Sequence, residues 1–284
     1  MKLKEAYEII EERLIQNGIA EKRDTHELIM YGIGVSEKEE PEKELSESQL
    51  QILNELMRRR VDHEPLQYII GEWDFFDKTF KVGEGVLIPR PDTETLVEKC
   101  IADNSESKGL TLIDLCAGSG CIGLTLEGRL NVSELYMVEK SESAYKYLSQ
   151  NASDFGSQAR LILGDAFDRE IIDSLPQADI ITCNPPYLNV SDMTPGVLQA
   201  EVAYEPFEAL YGGEDGLEYY RLIARLYKKK LKETGKLYLE IGMGQEAEVM
   251  RILIQNGFTN VRKIKDYGQI YRVITAGVTN EYAD

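Results

Sequence analysis

The sequence predicts an α/β fold: a mostly parallel sheet with helices on both faces, a small helical domain before it and an antiparallel hairpin that closes it. Three observations carry this prediction. Helical periodicity fills the N-terminal quarter of the chain. Short β-branched runs then alternate with helical segments, which favours parallel strands. Two strand-like runs near the C-terminus are joined by only a few residues, as in a hairpin.

Length and composition limit the possible functions. The 284 residues suggest about two domains, and 43% apolar residues are enough for a hydrophobic core. No apolar stretch approaches the ~20 residues needed to cross a bilayer, and the N-terminus lacks the apolar core of a signal peptide. A formal charge of -18 matches a phosphate backbone poorly. We therefore expect a cytoplasmic protein that binds neither membrane nor nucleic acid directly. We also expect a monomer.

Cysteine and histidine usage argues against a metal site. The cysteines lie at positions 100, 116, 121 and 183, a spacing that fits no zinc pattern. We interpret them as reduced, structural thiols. His26 and His63 are the only histidines of the sequence, which weakens any histidine-based hydrolase or metal hypothesis.

The N-terminal segment has the pattern of a helical domain. Apolar residues recur at helical spacing from Leu3 to Leu14. Asp24 with Glu27 forms one capping pair, and Ser46 forms another with the glutamine three residues later, so two further helices are predicted. A helical domain this small needs another surface to bury against. Because it contains no catalytic constellation, we interpret it as a substrate-recognition or packing module.

Residues 72–88 change from helical to strand periodicity. Aromatic and β-branched residues cluster there, and Asp77–Lys78 can turn the chain, which predicts a β-hairpin that links two domains. Two prolines then fix an extended path through Leu87–Glu94. Asp92 or Thr93 can cap the helix that follows.

A buried strand next leads into a glycine-rich loop, Cys116–Gly123. Gly118 and Gly120 allow the backbone to pass close to a ligand. The G-x-G-x-x-G spacing fits a dinucleotide site, although the motif alone is a weak signal. Asp114, four residues before the first glycine, would lie unfavourably beside a pyrophosphate and suits a cationic amino-acid moiety instead. S-adenosylmethionine carries an ammonium and a sulfonium and no phosphate, so Asp114 favours it.

Two further acids follow the next strands. Glu139 ends the strand after the loop, where a carboxylate can accept both ribose hydroxyls of a nucleoside, in NAD as well as in S-adenosylmethionine. Asp165 ends a third strand and could meet an adenine amino group, with Ala166 and Phe167 against the ring. A simple strand-end cap is the alternative interpretation of Asp165.

The segment Asn184–Tyr187, Asn-Pro-Pro-Tyr, follows a β-branched run that predicts a buried strand. Pro185 and Pro186 lack a backbone N–H, so the strand must end at Asn184, at the edge where α/β sheets bind ligands. The side-chain oxygen of Asn184 and the carbonyl oxygen of Pro185 can accept both N–H bonds of a planar amide or aromatic amine, and Tyr187 can cover its face. This grip aims the nitrogen at an electrophile and favours the positive charge that develops on it. A strand-ending turn is the alternative interpretation.

The remaining residues complete the sheet. Residues 188–215 form a long irregular stretch, which we predict to be a substrate lid because it follows the Asn-Pro-Pro-Tyr segment. A helix from Leu217 to about residue 231 and a fifth strand at Lys236–Ile241 come next. Val261–Ile264 and Tyr271–Ile274 then read as an antiparallel pair.

Together these motifs resemble the release-factor glutamine methyltransferases. These enzymes transfer a methyl group from S-adenosylmethionine to the side-chain nitrogen (N5) of the glutamine in the Gly-Gly-Gln motif of peptide-chain release factors. The similarity runs through almost the whole chain. The segments that carry it are Glu64–Gly71, Leu87–Glu94, Asp114–Gly120, Asn184–Tyr187, Glu205–Pro206, Gly212–Leu217 and the ending at Arg272–Val273.

The resemblance implies a class I S-adenosylmethionine-dependent methyltransferase with a Rossmann-like sheet. The implied domains are a helical substrate-recognition domain at 1–71, a hairpin linker at 72–90 and the methyltransferase domain at 91–284. Residues assigned to the cofactor are Asp114, Ala117, Gly118, Ser119, Gly120, Cys121, Glu139, Asp165, Ala166, Phe167 and Asn184. Ala166 falls where some members carry a larger aromatic residue. The implied catalytic residues are Asn184, Pro185 and Tyr187, and the substrate pocket would add Pro186, Arg90 and Glu94. No metal is implied.

Three other functions would use some of the same patterns. An adenine-N6 methyltransferase shares the Asn-Pro-Pro-Tyr motif, but it needs a basic groove for nucleic acid that this acidic chain lacks. A nicotinamide dehydrogenase fits only the glycine-rich loop, and Asp114 counts against it. A non-catalytic module that binds a release factor would have no affinity for the cofactor, which a binding assay tests.

Overall fold

The computed structural model describes residues 1–19, 22–36, 38, 40–194 and 197–279. The chain separates into two compact units. The first contains Met1–Glu72 together with Gln199–Tyr204, and the second contains Trp73–Leu198 and the chain from Glu205 onward. In the described ranges, no helix combines the length and the apolar character that a membrane span needs.

Helices form the first unit. They are α1 (Leu3–Gln16), α2 (Lys22–Ile33), α3 (Glu47–Val61) and α4 (Leu66–Ile70). The predicted apolar face of α1 is confirmed, because residues at that spacing from Leu3 to Leu14 are buried. The predicted start of α3 is also confirmed: the Ser46 hydroxyl accepts from the backbone N–H of Gln49 at 3.3 Å.

The predicted cap of α2 is wrong. Asp24 lies inside the first turn of α2 rather than before it, and its carboxylate accepts from Nε of Arg60 at 2.6 Å. Arg60 is buried and also pairs with Glu201, with 2.7 Å between Nη2 and Oε1. A buried guanidinium is stable only when carboxylates neutralise it. This pairing therefore holds Gln199–Tyr204 to the helices.

The predicted β-hairpin is confirmed. β1 (Glu72–Phe75) and β2 (Lys78–Lys81) pair as a two-stranded sheet. Phe76 takes a left-handed conformation in the turn, with φ of 58°. Phe75 and Phe80 are fully buried and meet edge to face, with 6.1 Å between ring centroids.

The second unit is built on a seven-stranded sheet. Its strands are β3 (Leu110–Leu115), β4 (Val132–Glu139), β5 (Arg160–Leu163), β6 (Ala178–Cys183), β7 (Leu231–Glu240), β8 (Thr259–Lys265) and β9 (Tyr271–Gly277). Their order across the sheet is β5-β4-β3-β6-β7-β9-β8. The strands from β3 to β7 run parallel, β9 runs antiparallel to β7, and β8 runs antiparallel to β9. The predicted parallel sheet with a closing hairpin is confirmed.

Hydrophobic cores cover both faces of this sheet. Leu112 and Ile180 pack into one core, whereas their chain neighbours Ile113 and Ile181 pack into the other, because side chains alternate along a strand. The helices of this unit are α5 (Pro91–Asn104), α6 (Cys121–Arg129), α7 (Glu142–Asp154), α8 (Arg169–Ser174), α9 (Phe207–Leu210), α10 (Glu218–Tyr227) and α11 (Glu246–Gln255).

The strand order reverses direction at β3. β4 and β5 extend the sheet on one side of β3, and β6 and β7 extend it on the other. Leu115 at the end of β3 pairs in register with Cys183 at the end of β6. Such a switch point opens a crevice at the carboxyl ends of the strands, where α/β sheets bind ligands. The loops that begin at Cys116 and Asn184 therefore lie side by side.

Several predicted boundaries are wrong. β7 begins at Leu231 rather than at Lys236, because Leu231 pairs with Ala178 ahead of an irregularity in the register. α10 accordingly ends at Tyr227, and a 3-10 turn joins it to the strand. The long stretch 188–215 is also less irregular than expected, since it contains α9 and a second 3-10 turn.

The predicted cap of α5 is wrong as well. The helix begins at Pro91, and Arg90 stands at the cap position without a side-chain hydrogen bond to the described residues of the first turn. Proline suits this position because the first helical N–H needs no partner. Thr93 lies within the first turn, and its hydroxyl donates to Oε2 of Glu240 at 2.6 Å instead.

Candidate active site

A cavity of about 550 Å³ opens at the carboxyl ends of β3, β4, β5 and β6. Its volume lies within the usual range for small-molecule sites, about 300–1,000 Å³. The predicted site residues that line it are Arg90, Ala117, Gly118, Ser119, Cys121, Glu139, Asp165, Ala166, Phe167, Asn184 and Pro186. The predicted residues that lie outside its wall are Glu94, Asp114, Gly120, Pro185 and Tyr187. Their predicted roles in binding remain predictions.

The glycine-rich loop makes a sharp turn between β3 and α6. Cys116, Gly118 and Gly120 all have positive φ, at 56°, 56° and 87°. A Cβ on Gly120 would lie 2.8 Å from the side chains of Leu124 and Leu148, so the tight packing there admits only glycine. At Gly118 no described atom would lie within 4 Å of such a Cβ. A ligand can therefore approach the backbone at Gly118.

Glu139 ends β4 and holds the glycine-rich loop in place. Its Oε2 accepts from the backbone N–H of Gly118 at 2.8 Å, and its Oε1 accepts from that of Ser141 at 2.7 Å. The side chain is buried, and burial raises the pKa of Glu139. Each carboxylate oxygen offers two lone pairs. Each oxygen can therefore accept one further hydrogen bond from a ligand in the cavity.

An aromatic wall stands beyond the end of β5. Phe167 and Tyr219 both line the cavity and meet edge to face, with 5.5 Å between their centroids. The strand-end cap considered for Asp165 is present, since its Oδ1 accepts from the backbone N–H of Phe167 at 2.9 Å. Its Oδ2 pairs with Nζ of Lys140 at 2.8 Å. Asp165 thus orders the turn that presents Phe167. Lys140 was missed although it follows the strand-ending Glu139, and Tyr219 was missed because it lies on α10, away from any strand end.

Asp114 lies beneath the glycine-rich loop. Its Oδ1 accepts from the Thr182 hydroxyl at 2.7 Å, and its Oδ2 accepts from the backbone N–H of Gly123 at 3.0 Å. Burial raises the pKa of Asp114 to about 7. These contacts tie the end of β3 to β6 and to the first turn of α6. The carboxylate therefore supports the loop from below, and its direct contact with a bound cation stays a prediction.

The Asn-Pro-Pro-Tyr segment begins where β6 ends, at Cys183, as predicted. Asn184 and Pro186 line the cavity. The ring of Tyr187 packs against the core, and a Cβ on Gly242 would lie 3.0 Å from it. The backbone carbonyl of Tyr187 accepts from Nε2 of Gln245 at 2.9 Å. Burial raises the pKa of Tyr187. In this structure Tyr187 therefore supports the segment from behind.

The carboxamide of Asn184 is connected to the core. Its Nδ2 donates to Oγ1 of Thr93 at 3.4 Å, and the Thr93 hydroxyl donates in turn to the buried Glu240. Thr93 also lines the cavity. Because these contacts use the NH2 group of Asn184, its Oδ1 is available to a ligand.

The opposite wall is held by a buried carboxylate, Glu205. One of its oxygens pairs with Arg90, and the other accepts from the backbone N–H of Ile88 at 3.0 Å. Phe207 and Tyr211, which stack with 5.0 Å between centroids, also line the cavity. Glu205–Pro206 belongs to the segments of the resemblance, and it could have located this wall.

Glu94, predicted for the substrate pocket, makes a contact with the hairpin. Its Oε1 accepts from the backbone N–H of Phe76 at 2.8 Å. This contact stabilises the left-handed turn between β1 and β2. Within the described residues, no group of three or more histidine, cysteine, aspartate or glutamate side chains could hold a metal ion.

Comparison with known proteins adds the family context. A family model described as the PrmC N-terminal domain matches residues 5–71, and one described as Conserved hypothetical protein 95 matches residues 89–243. A release factor glutamine methyltransferase of Thermodesulfovibrio yellowstonii is 38% identical over 262 residues, which cover 89% of this chain and 91% of that protein. One of Fusobacterium nucleatum is 36% identical over 250 residues, which cover 87% of this chain and 68% of that protein.

Solved structures share the fold of the second unit. A methyltransferase from Pyrococcus furiosus aligns with a TM-score of 0.54 over 71% of this chain and 89% of that chain, at 17% sequence identity. At this identity the likeness concerns the fold alone.

Proposed function

This chain belongs to the release factor glutamine methyltransferase family, whose methyl donor is S-adenosylmethionine, and we propose that it methylates N5 of the glutamine in the Gly-Gly-Gln motif of peptide-chain release factors. The observation that carries the proposal is the place of Asn184. Its carboxamide stands at the cavity wall, beside the glycine-rich loop, with Oδ1 available to a ligand. An amide NH2 group is the complement of such an acceptor.

The cavity fits S-adenosylmethionine. Glu139 has a free lone pair on each carboxylate oxygen for the two ribose hydroxyls. Phe167 and Tyr219 offer aromatic surface to the adenine ring. Gly118 leaves the backbone open to the amino-acid part. When bound, the cofactor supplies an electrophilic methyl group.

Asn184 and Pro185 orient the accepting nitrogen. We assign one N–H of the substrate glutamine to Oδ1 of Asn184 and the other to the carbonyl oxygen of Pro185. Two acceptors restrain the flat amide and favour the positive charge that develops on its nitrogen. In this position the nitrogen would take the methyl group in one in-line displacement that leaves the donor sulfur as a neutral thioether, and it would then lose a proton to water. Because the proton leaves last, no strong base is needed beside it.

The rim of the cavity suits a peptide. Phe207 is 52% exposed and stacks on Tyr211 at the cavity wall. Such a flat apolar surface can receive the backbone next to the glutamine, and we assign Pro186 and Arg90 to the same pocket. The helical domain at 1–71, which closely matches the extent of the PrmC N-terminal domain, is proposed to recognise the release factor, with 72–90 as the linker and 91–284 as the catalytic domain.

The partner and the compartment belong to the same proposal. A release factor is a protein substrate, and the formal charge of -18 disfavours direct binding of nucleic acid. We propose that the chain acts as a monomer in the cytoplasm, where release factors work. Sedimentation of the purified full chain across a range of concentrations tests the monomer.

The decisive experiment offers the full chain labelled S-adenosylmethionine and a release factor, with the motif glutamine intact or changed to asparagine. We expect label only in the intact factor, because asparagine withdraws the amide nitrogen by one methylene. Transfer to plain DNA that falls steeply with salt would favour the adenine-N6 alternative and overturn the proposal. Binding of the factor without cofactor affinity would indicate a non-catalytic module.

A further inference from the structure

Two polar residues, Thr93 at the cavity wall and Glu240 behind it, have no part in the mechanism given so far. Glu240 ends β7 and is 1% exposed. Its Oε2 accepts from the hydroxyl of Thr93 at 2.6 Å, and Oγ1 of Thr93 accepts from Nδ2 of Asn184 at 3.4 Å. The three side chains form a continuous hydrogen-bonded line from the core to the cavity wall.

We propose that Thr93 and Glu240 are positioning residues that fix which end of the Asn184 carboxamide faces the substrate. This inference rests on the proposed function, because it assigns a direction to the group that receives the substrate amide. Neither residue touches the substrate in this scheme. Both act through Asn184.

The hydroxyl of Thr93 has a single proton to donate. An ionised carboxylate only accepts hydrogen bonds, so Thr93 must give its proton to Glu240. Thr93 then offers Asn184 nothing but a lone pair. The end of the carboxamide that meets Thr93 must therefore be the NH2 group, and Oδ1 must face the other way.

The direction matters because the two ends of a carboxamide have nearly the same shape. With Oδ1 toward the cavity, Asn184 can accept an N–H of the substrate amide. With the NH2 group toward the cavity, the NH2 groups of Asn184 and of the substrate amide would face each other. Both are donors, so no hydrogen bond would form between them. A neutral residue at position 240 could both donate and accept, so it would not enforce either direction.

Protonation of Glu240 should weaken this control, since a protonated carboxyl can donate to Thr93 and release the hydroxyl proton toward Asn184. Burial raises the pKa of Glu240 to about 7. The titratable and charged groups around it are Arg90 and Asp92 at α5, Arg272 on β9, Tyr187 after β6, Tyr220 on α10 and Cys121 on α6. Arg272 is already paired with Asp92 at 3.1 Å, so it neutralises Glu240 only in part.

The test compares Thr93→Val with Thr93→Ser in the full chain. Valine keeps the shape of threonine but loses the hydroxyl, whereas serine keeps the hydroxyl. We expect Thr93→Val to lower kcat by about 10–100-fold, with KM for the release factor and affinity for S-adenosylmethionine unchanged. Thr93→Ser should retain most of kcat. A wild-type kcat in Thr93→Val, or an equal loss in both variants, would overturn the proposal.

A second measurement is independent of the methyl acceptor. The side-chain NH2 resonances of Asn184, followed by NMR with S-adenosylmethionine bound, should shift as the pH falls through the titration of Glu240. In Thr93→Val and in Glu240→Gln this shift should vanish. If the shift persists in Thr93→Val, Asn184 senses another group and the inference fails. If wild-type protein shows the shift but methylates no release factor, the proposed function fails, whereas the control of the Asn184 carboxamide by Thr93 and Glu240 stands.

Discussion

At the residue scale, Asn184 is the side chain whose loss should harm turnover most. Asn184→Ala removes the acceptor for the substrate N–H but leaves Glu139 and the glycine-rich loop intact. We expect kcat to fall by about 10²–10³-fold, as when one group that stabilises developing charge is removed. Affinity for S-adenosylmethionine, measured by calorimetry, should change little.

The control for this variant is Asn256→Ala, the same change at the exposed C-terminal end of α11. It should match wild type in both measurements. Near-normal turnover of Asn184→Ala would refute the proposal that Asn184 accepts an N–H of the substrate amide. A parallel loss of cofactor affinity would indicate that Asn184 mainly shapes the cofactor site.

Glu139 should determine affinity for the nucleoside part of the cofactor. In Glu139→Gln one end of the side chain becomes an NH2 group, which must face either a backbone N–H or a ribose hydroxyl that donates. The affinity for S-adenosylmethionine should fall by about 10–100-fold. Glu142→Gln, a change at an exposed position of α7, is the matched control. Unchanged affinity in Glu139→Gln would place the ribose elsewhere.

Sequence patterns locate such residues but not the direction in which they face. Glu139 and Asn184 were found because each ends a strand at the switch point. Asp114 and Tyr187 stand in equivalent places, yet the Asp114 carboxylate faces Thr182 and the Tyr187 ring faces Gly242. Neither partner is visible in a local pattern, since each lies on a different element of the fold.

At the element scale, the turn between β3 and α6 should be intolerant of any side chain at Gly120. Gly120→Ala combines positive φ with contacts at 2.8 Å to Leu124 and Leu148. Gly156→Ala has positive φ too, but no described atom lies within 4 Å of its added Cβ. We expect about 1–2 kcal/mol of destabilisation for Gly156→Ala and about 1–3 kcal/mol more for Gly120→Ala.

Denaturant unfolding of both glycine variants measures these losses, and cofactor affinity provides a second readout. Only Gly120→Ala should weaken binding, because only its loop faces the cavity. Equal destabilisation of the two variants would show that conformational strain, rather than packing, limits this turn.

The start of α5 shows where local reasoning about elements fails. Thr93 was predicted as a possible cap because its residue type and its place before a helix suit that role. Its hydroxyl bonds to Glu240 instead, on a strand far along the chain. The start of β7 was misplaced for a similar reason, since the pairing of Leu231 with Ala178 depends on a neighbouring strand. Periodicity identifies elements, but their ends are set by tertiary partners.

At the scale of the whole molecule, the sequence predicts the order of elements along the chain better than their neighbours in space. The alternation of strands and helices was sufficient to predict a parallel sheet, and its short final loop predicted the closing hairpin. The reversal at β3 and the association of Gln199–Tyr204 with the helices were not predicted. The second involves long-range contacts, among them the pair of Arg60 with Glu201 and the Tyr204 hydroxyl that donates to the backbone carbonyl of Asp62.

The stability of the molecule should depend on pH because two of its acids are buried. Burial raises the pKa of Asp114 and of Glu240 to about 7, whereas in the unfolded chain both should titrate near about 4. Between these values the folded chain binds more protons than the unfolded chain. The contribution of each acid to stability is therefore fully present below about pH 4 and is lost as the pH rises through about 7.

Asp114→Asn isolates one of these contributions, because asparagine can still accept from Gly123 and can donate to the Thr182 hydroxyl. Carboxylates that are paired with arginine change stability with pH in the opposite direction. The quantity to compare is therefore the difference in free energy of unfolding between wild type and variant. In chemical denaturation, the free energy of unfolding of wild type minus that of Asp114→Asn should decrease from pH 4.5 to pH 8. The control is Asp154→Asn, a change at an exposed position of α7. The difference between wild type and this control should stay constant over the same range. A constant difference for Asp114→Asn would mean that Asp114 is ionised throughout.

Because the proposed control of Asn184 needs an ionised Glu240, turnover should rise over the same pH range in which these two acids lower stability.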